Sequence, residues 1–156
     1  MVVKPVVEAA QERRRWLSIL AKAQPGEVLS AWEDLEARPE YRALRSPEIG
    51  MVLVRGRMGG TGDAFNLGEM TVTRAAVRLD SGETGIGYAA GRDRKHAEIA
   101  AAVDAMMQSA DLRPAVEGAV IAKLARTQDE RRSTSARKAA ATKVDFFTMV
   151  RTRSPG

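Results

Sequence analysis

The chain has 156 residues, 44% of them hydrophobic, with 25 basic and 20 acidic side chains and a net charge of +5. There is no cysteine and a single histidine, which excludes disulfides, thiolate metal sites, cysteine nucleophiles and iron–sulfur ligation by thiolates, and argues against a self-contained metal site or a Ser-His-Asp triad. No apolar run approaches the ~18 residues of a membrane span, and Met1–Val7 lacks the continuous apolar stretch of a signal peptide, so a cytoplasmic protein with no membrane partner is expected.

The length suits one domain, 1–156, with 1–6 and 152–156 as flexible termini. Alanines number 26, while Leu, Ile, Val and Phe together number only 32. A core built largely from alanine buries little area per residue, so an isolated monomer is expected to be marginally stable and to lean on a partner. The positive charge is concentrated late: residues 1–112 carry 15 basic and 16 acidic groups, residues 113–156 carry 10 and 4. Such a segment suits nucleic acid, an acidic protein surface or simple solvation.

In chain order, Trp16, Leu17, Leu20 and Ala23 recur at helical spacing and predict a helix over Val7–Ala23, stopped by Gln24-Pro25-Gly26. A second helix over Glu27–Ala37 carries Val28, Ala31, Trp32 and Leu35, and Pro39 ends it. The period then changes. Ile49–Arg57, Glu69–Leu79 and Gly85–Ala90 read as strands, with Tyr41–Arg45 as a short edge strand and Asp80-Ser81-Gly82 as a turn. Short connections favour an antiparallel sheet.

A helix over Arg92–Ala110 follows, with Ile99, Val103, Met106 and Ala110 on one face, before Pro114 breaks the chain. Gly118–Leu124 fits helix or strand. Thr127-Gln-Asp-Glu130 has the form of a capping box and predicts a helix start there, running to about Thr142. An apolar segment, Val144–Val150, lies beyond. The fold class is therefore α+β: an N-terminal helical hairpin, a central antiparallel sheet of three to four strands, C-terminal helices and an apolar docking tail.

Three places are candidates for chemistry. In Arg55-Gly-Arg57-Met-Gly59-Gly60-Thr61-Gly62, glycines between arginines can present backbone N–H groups to an anion, although the Gly-Lys-Ser/Thr ending of a Walker loop is missing. The alternative is a plain strand-to-strand connection. Arg55 and Arg57 share one face of their strand, and Arg74 and Arg78 one face of theirs. If these faces coincide, four arginines form an anion site or pair with Glu69 and Glu83. The turn Arg92–His96 opens a helix that Asp93 caps, so it offers free N–H groups beside basic side chains. His96 there serves either an anion or the structure. In the tail, Phe146, Phe147 and Met149 either dock onto a partner or fold back on the sheet.

A helical hairpin followed by a sheet also invites a free-standing basic nucleic-acid-binding protein as the alternative function. Against it, the second helix carries Glu27, Glu33, Asp34 and Glu36, which repel a phosphate backbone, so no nucleic acid is expected.

Taken together, Arg57-Met-Gly-Gly-Thr-Gly62, Thr73-Arg-Ala-Ala-Val-Arg-Leu79, Gly91-Arg-Asp93 with His96-Ala-Glu98, and Val144-Asp-Phe-Phe-Thr-Met-Val-Arg151 resemble the PhnG family, the G subunits of the bacterial carbon–phosphorus lyase core complex. The resemblance covers about residues 12–152. It implies a part in phosphonate utilisation, with the H, I and J subunits as partners and L acting in the synthase reaction. In that reaction methylphosphonate displaces adenine from Mg-ATP, giving α-D-ribose 1-methylphosphonate 5-triphosphate; J then breaks the C–P bond. The family pattern assigns no catalytic residue to G. The resemblance thus implies a subunit of a transferase complex, with no cofactor or metal of its own, Mg-ATP as the complex's substrate, and catalytic residues on another subunit.

Overall fold

The computed structural model describes residues 3–142, with side chains from Val7 onward. Helices α1 (Val3–Lys22) and α2 (Pro25–Glu33) lead into strands β1 (Tyr41–Arg57), β2 (Ala64–Leu79) and β3 (Thr84–Ala90). Helix α3 (Arg94–Met106) follows. A short α4 (Arg113–Val116) then passes through a π turn (Glu117–Ile121) into α5 (Ala122–Ala141). The sheet is an antiparallel meander in the order β1-β2-β3. This is the α+β architecture expected, with three strands; the tail carrying Phe146, Phe147 and Met149 lies outside the described residues.

Several boundaries differ from the sequence reading for identifiable reasons. Helix α1 starts at Val3 and passes through Pro5, because the first turn's N–H groups have no intrahelical acceptor and proline forfeits nothing there. Pro25 opens α2 in the same way, while the Gln24 N–H donates to Glu27 Oε2 at 3.2 Å. The expected edge strand and Ile49–Arg57 are one continuous 17-residue strand. Pro47 is accommodated because β1 is an edge strand and the ladder shifts register on either side of Arg45. Pro114 starts α4 instead of breaking the chain, and Gly118–Leu124 is helical. The Thr127 capping box does not form: Thr127 lies inside α5 and its hydroxyl donates back to the Lys123 carbonyl at 3.1 Å.

The core centres on α3, which is buried almost all round from His96 to Met107, apart from half-buried Glu98. The sheet lies on one side of it. Trp16 and Leu20 of α1, Val28, Ala31 and Trp32 of α2, and Val116, Val120, Ile121 and Leu124 of the C-terminal helices complete the core. The alanines matter here. Gly85 and Gly87 of β3 face Ala97, Ala101 and Ala105 so closely that a Cβ on either glycine would stand about 2 Å from a helix carbonyl, 1.9 Å from Ala101 O and 2.0 Å from Ala97 O. Small residues on both surfaces bring helix and strand backbones together, replacing side-chain bulk with close approach.

Candidate functional site

The arginines do not form the single face that the sequence permitted. Register pairs Met51 with Thr71, Leu53 with Glu69 and Arg57 with Ala64, so Arg55 and Arg57 lie on the helix-side face of β1 at its far end. Arg74 and Arg78 lie on the opposite, outer face, since their neighbours Ala75, Val77 and Leu79 point into the core. The expected four-arginine cluster of Arg55, Arg57, Arg74 and Arg78 is thus split: odd positions of β1 from Ile49 to Leu53 meet odd, helix-side positions of β2, and Arg55 and Arg57 continue that face of β1 past the register shift after Val54.

A different four-arginine face forms on the outer surface of the sheet. Arg42 is directly opposite Arg78, Arg45 opposite Ala76, and Glu48 opposite Arg74, whose other neighbour is Tyr88 of β3. Among the described residues, Glu48 is the one carboxylate within ion-pairing distance of these arginines, 3.5 Å from Arg74 Nε and 3.9 Å from Arg45 Nε. The Arg74 Nε is itself buried and makes no hydrogen bond among the described residues. Arg78 Nε donates to the Gly82 carbonyl at 3.2 Å. Four guanidinium groups against one half-exposed carboxylate leave a positive, flat surface that carries exposed Tyr88 and Ile86. Arg42 and Arg45 escaped sequence reading because β-bulges reset the parity of β1; the recurrence of arginine at 42 and 45 was the available signal.

The glycine loop is the tip of the β1–β2 hairpin. Met58–Gly60 forms a 3₁₀ turn in which Gly59 and Gly60 have φ of +59° and +82°, and Gly62 N–H donates to the Met58 carbonyl at 2.9 Å. Arg57 Nη1 donates to Gly62 O at 3.1 Å. Thr61 is exposed beside them. The loop thus connects β1 to β2, with Arg57, Gly59 and Gly60 exposed at its tip.

At the start of α3, Asp93 accepts from His96 N–H at 2.7 Å, the cap that the sequence predicted. Arg92, Arg94 and Lys95 are exposed, and Lys95 reaches Glu98 at 3.7 Å. His96 points inward: it is buried, and its Nε2 lies 2.8 Å from the Leu20 carbonyl, which requires the proton on Nε2. Nδ1 is buried without a partner among the described residues. The ring therefore ties α3 to the end of α1, and Arg92 and His96 do not share a surface.

Sequence reasoning missed the most connected polar group. Asp104, fully buried in α3, accepts from Arg13 Nε and Nη2 at 3.1 and 2.7 Å, Trp16 Nε1 at 2.8 Å and the Ile86 N–H at 2.9 Å. The Ile86 amide belongs to the free edge of β3, and Gln108 Nε2 covers the same edge by donating to Thr84 O at 2.8 Å. An Asp among the alanines of an apolar stripe was its signal. Over the Trp16 ring, the Arg113 guanidinium carbon sits 5.4 Å from the ring centroid, and Arg113 donates to Glu12 Oε2 at 2.7 Å. That hydrogen bond, reinforced by the guanidinium charge, holds the Glu12 carboxyl below its usual range. A hydrogen bond from Ser81 does the same for Glu83. Among the described residues, no three metal-ligating side chains come together.

Comparison with known proteins decides the family. The chain matches the family model for Phosphonate metabolism protein PhnG over residues 11–152. It belongs to the PhnG family. One relative, the Alpha-D-ribose 1-methylphosphonate 5-triphosphate synthase subunit PhnG of Rhizobium meliloti (strain 1021), is 48% identical over 140 residues, spanning 90% of this chain and 89% of its own length. In this PhnG chain the buried polar groups are bound up in the fold: Asp104 fastens α1 and β3 to α3, and His96 fastens α3 to α1. Among the described residues, arginines outside ion pairs stand on the outer sheet face (Arg42, Arg78) and toward the end of the hairpin (Arg55, Arg57), as well as on α5 (Arg126, Arg132).

Proposed function

We infer that this PhnG chain is an assembly subunit of the complex that makes α-D-ribose 1-methylphosphonate 5-triphosphate from Mg-ATP and methylphosphonate with release of adenine. The H, I and L proteins act with it in that reaction, J joins the core complex, and the work is cytoplasmic. The observation that carries this reading is the 48% identity, over nine-tenths of both chains, to a subunit of that synthase. The commitment of Asp104 and His96 to internal hydrogen bonds supports a role without catalytic residues of its own. Phe146, Phe147 and Met149 dock onto the I subunit in this reading.

A second role within the complex is favoured by the outer face, where Arg42, Arg45, Arg74 and Arg78 outnumber Glu48. There the arginines contact a polyanion, the triphosphate, and offset its charge. Co-expression with H, I, J and L, followed by size-exclusion chromatography with light scattering and by turnover of ATP and methylphosphonate, tests both. One defined complex containing this chain supports the subunit role, and a chain that never joins the larger species overturns it. With Arg74→Ala and Arg78→Ala, intact assembly with reduced turnover supports polyanion contact. Lost assembly assigns the face to a partner surface.

A further inference from the structure

Strand β3 pairs with β2 only from Val72 to Arg78, so β1 and β2 run on alone from Met51 and Thr71 to the hairpin tip. This two-stranded arm projects roughly 20 Å past the third strand, by the rise of an extended chain. Of the twelve large hydrophobic side chains exposed among the described residues, seven lie on it or at its base: Met51, Leu53, Met58 and Leu67 at 63–77% exposure, with Ile49, Phe65 and Met70. They occupy both faces. Ile49, Met51 and Leu53 line the helix side, while Met70 opposite Val52 and Phe65 opposite Gly56 line the other. Over the two faces together their exposed surface is on the order of 800 Å², close to one partner's share of a standard interface.

Resting on the subunit role inferred above, we propose that this arm inserts into a groove of a partner subunit that is apolar on both walls and acidic where it receives Arg55 and Arg57. A ribbon apolar on both faces must be enclosed, since lying on a flat surface would leave half of it wet. Arg55 and Arg57 share the helix-side face with Met51 and Leu53, and neither is in an ion pair among the described residues, so carboxylates at that end complement them. A second copy of this chain does not offer such a groove. Among the described residues, its cavities of about 370 Å³ beside Leu35, Leu112 and the acidic Glu36 and Asp111, and of about 510 Å³ beside Trp16 and Met107, take a side chain or two and are too small for a ribbon roughly 10 Å thick. A larger groove among the described residues, about 870 Å³, is lined by charged groups such as Arg15, Glu117, Arg126 and Asp129.

The test uses the full chain with the co-expressed H, I, J and L subunits. In the purified complex, amide exchange over 51–57 and 64–71 should slow by at least about tenfold relative to the chain alone. The double variant Met51→Glu/Leu53→Glu should weaken association at least about tenfold, with an unchanged circular-dichroism spectrum, whereas Leu29→Glu on α2 should leave it within about twofold. Arg55→Glu/Arg57→Glu should weaken it most at low salt. A complex that forms with the arm exchanging as in the free chain overturns this inference alone. Self-association of the chain that Met51→Glu/Leu53→Glu abolishes overturns it in favour of a second copy. Failure to join any of the four subunits overturns the subunit role and this inference together.

Discussion

Gly87 of β3 lies directly against Ala97 of α3: a Cβ on the glycine would stand 2.0 Å from the Ala97 carbonyl oxygen and 2.7 Å from the Ala101 nitrogen. Both neighbours are helix backbone and cannot step aside as a side chain would. Gly87→Ala should therefore push α3 off the sheet and destabilise the chain by about 3 kcal/mol. Gly50→Ala on β1, where nothing lies within 4 Å of the new methyl group, is the control and should change stability by less than about 0.5 kcal/mol. Urea unfolding of the two variants beside the parent chain measures both. Equal midpoints would show that the helix is not seated on the glycines.

Asp104 supports a second prediction. Asp104→Ala strands the Trp16 and Ile86 N–H groups in the interior and removes the partner of Arg13, so it should cost about 3–5 kcal/mol. The Trp16 near-ultraviolet signal should change with it, because the indole loses its fixed orientation. Asp104→Asn should be milder, since one oxygen acceptor remains. Equal stability of Asp104→Ala and the parent chain, by thermal melting, would remove Asp104 as the link between α1, α3 and β3.

Much of this architecture was legible in the residues, and the failures have physical causes. The burial stripes Trp16-Leu20-Ala23 and Val28-Ala31-Trp32-Leu35 and the Asp93 cap could be read because each depends only on helical periodicity or on a contact three residues away. The arginine face could not, because two register shifts in β1 decide which way Arg42 and Arg45 point, and register is a property of the paired strands. The Thr127 box failed for a related reason. A preceding helix that is already packed through Val120, Ile121 and Leu124 carries the chain past a local start signal. His96 was placed on the correct helix turn, but its burial beneath Leu20 depends on the path of α1, 76 residues earlier.

Tyr41 gives a pH prediction. Burial first, and then its hydrogen bond to Glu98 at 2.8 Å and the charge of that carboxylate, raise its hydroxyl from 10.0 to about 12. A phenol that ionises later in the folded chain stabilises it fully below pH 10, and that contribution is lost as pH rises from 10 to about 12. Tyr41→Phe should be less stable than the parent near neutral pH, and the gap should close across that window. Tyrosinate absorbance should also show the parent's late-titrating step disappearing in the variant. A step that persists in Tyr41→Phe would assign it elsewhere.

Arg42 and Arg78 face one another across β1 and β2, two like charges at a directly opposed pair. Such pairs destabilise a sheet by a few tenths of a kcal/mol to about 1 kcal/mol, so an uncompensated pair is a cost that a ligand or partner surface offsets on binding. Arg42→Glu converts it to an attractive pair. The isolated chain should gain about 0.5 kcal/mol, lost again in high salt. The same variant should lower turnover of the assembled complex, or its affinity for the partner that covers the face, by several fold. Urea midpoints at low and high salt, set beside turnover of ATP and methylphosphonate in the complex, separate the two effects. A variant that is more stable and fully active would mean that the outer arginines serve neither the polyanion nor a partner.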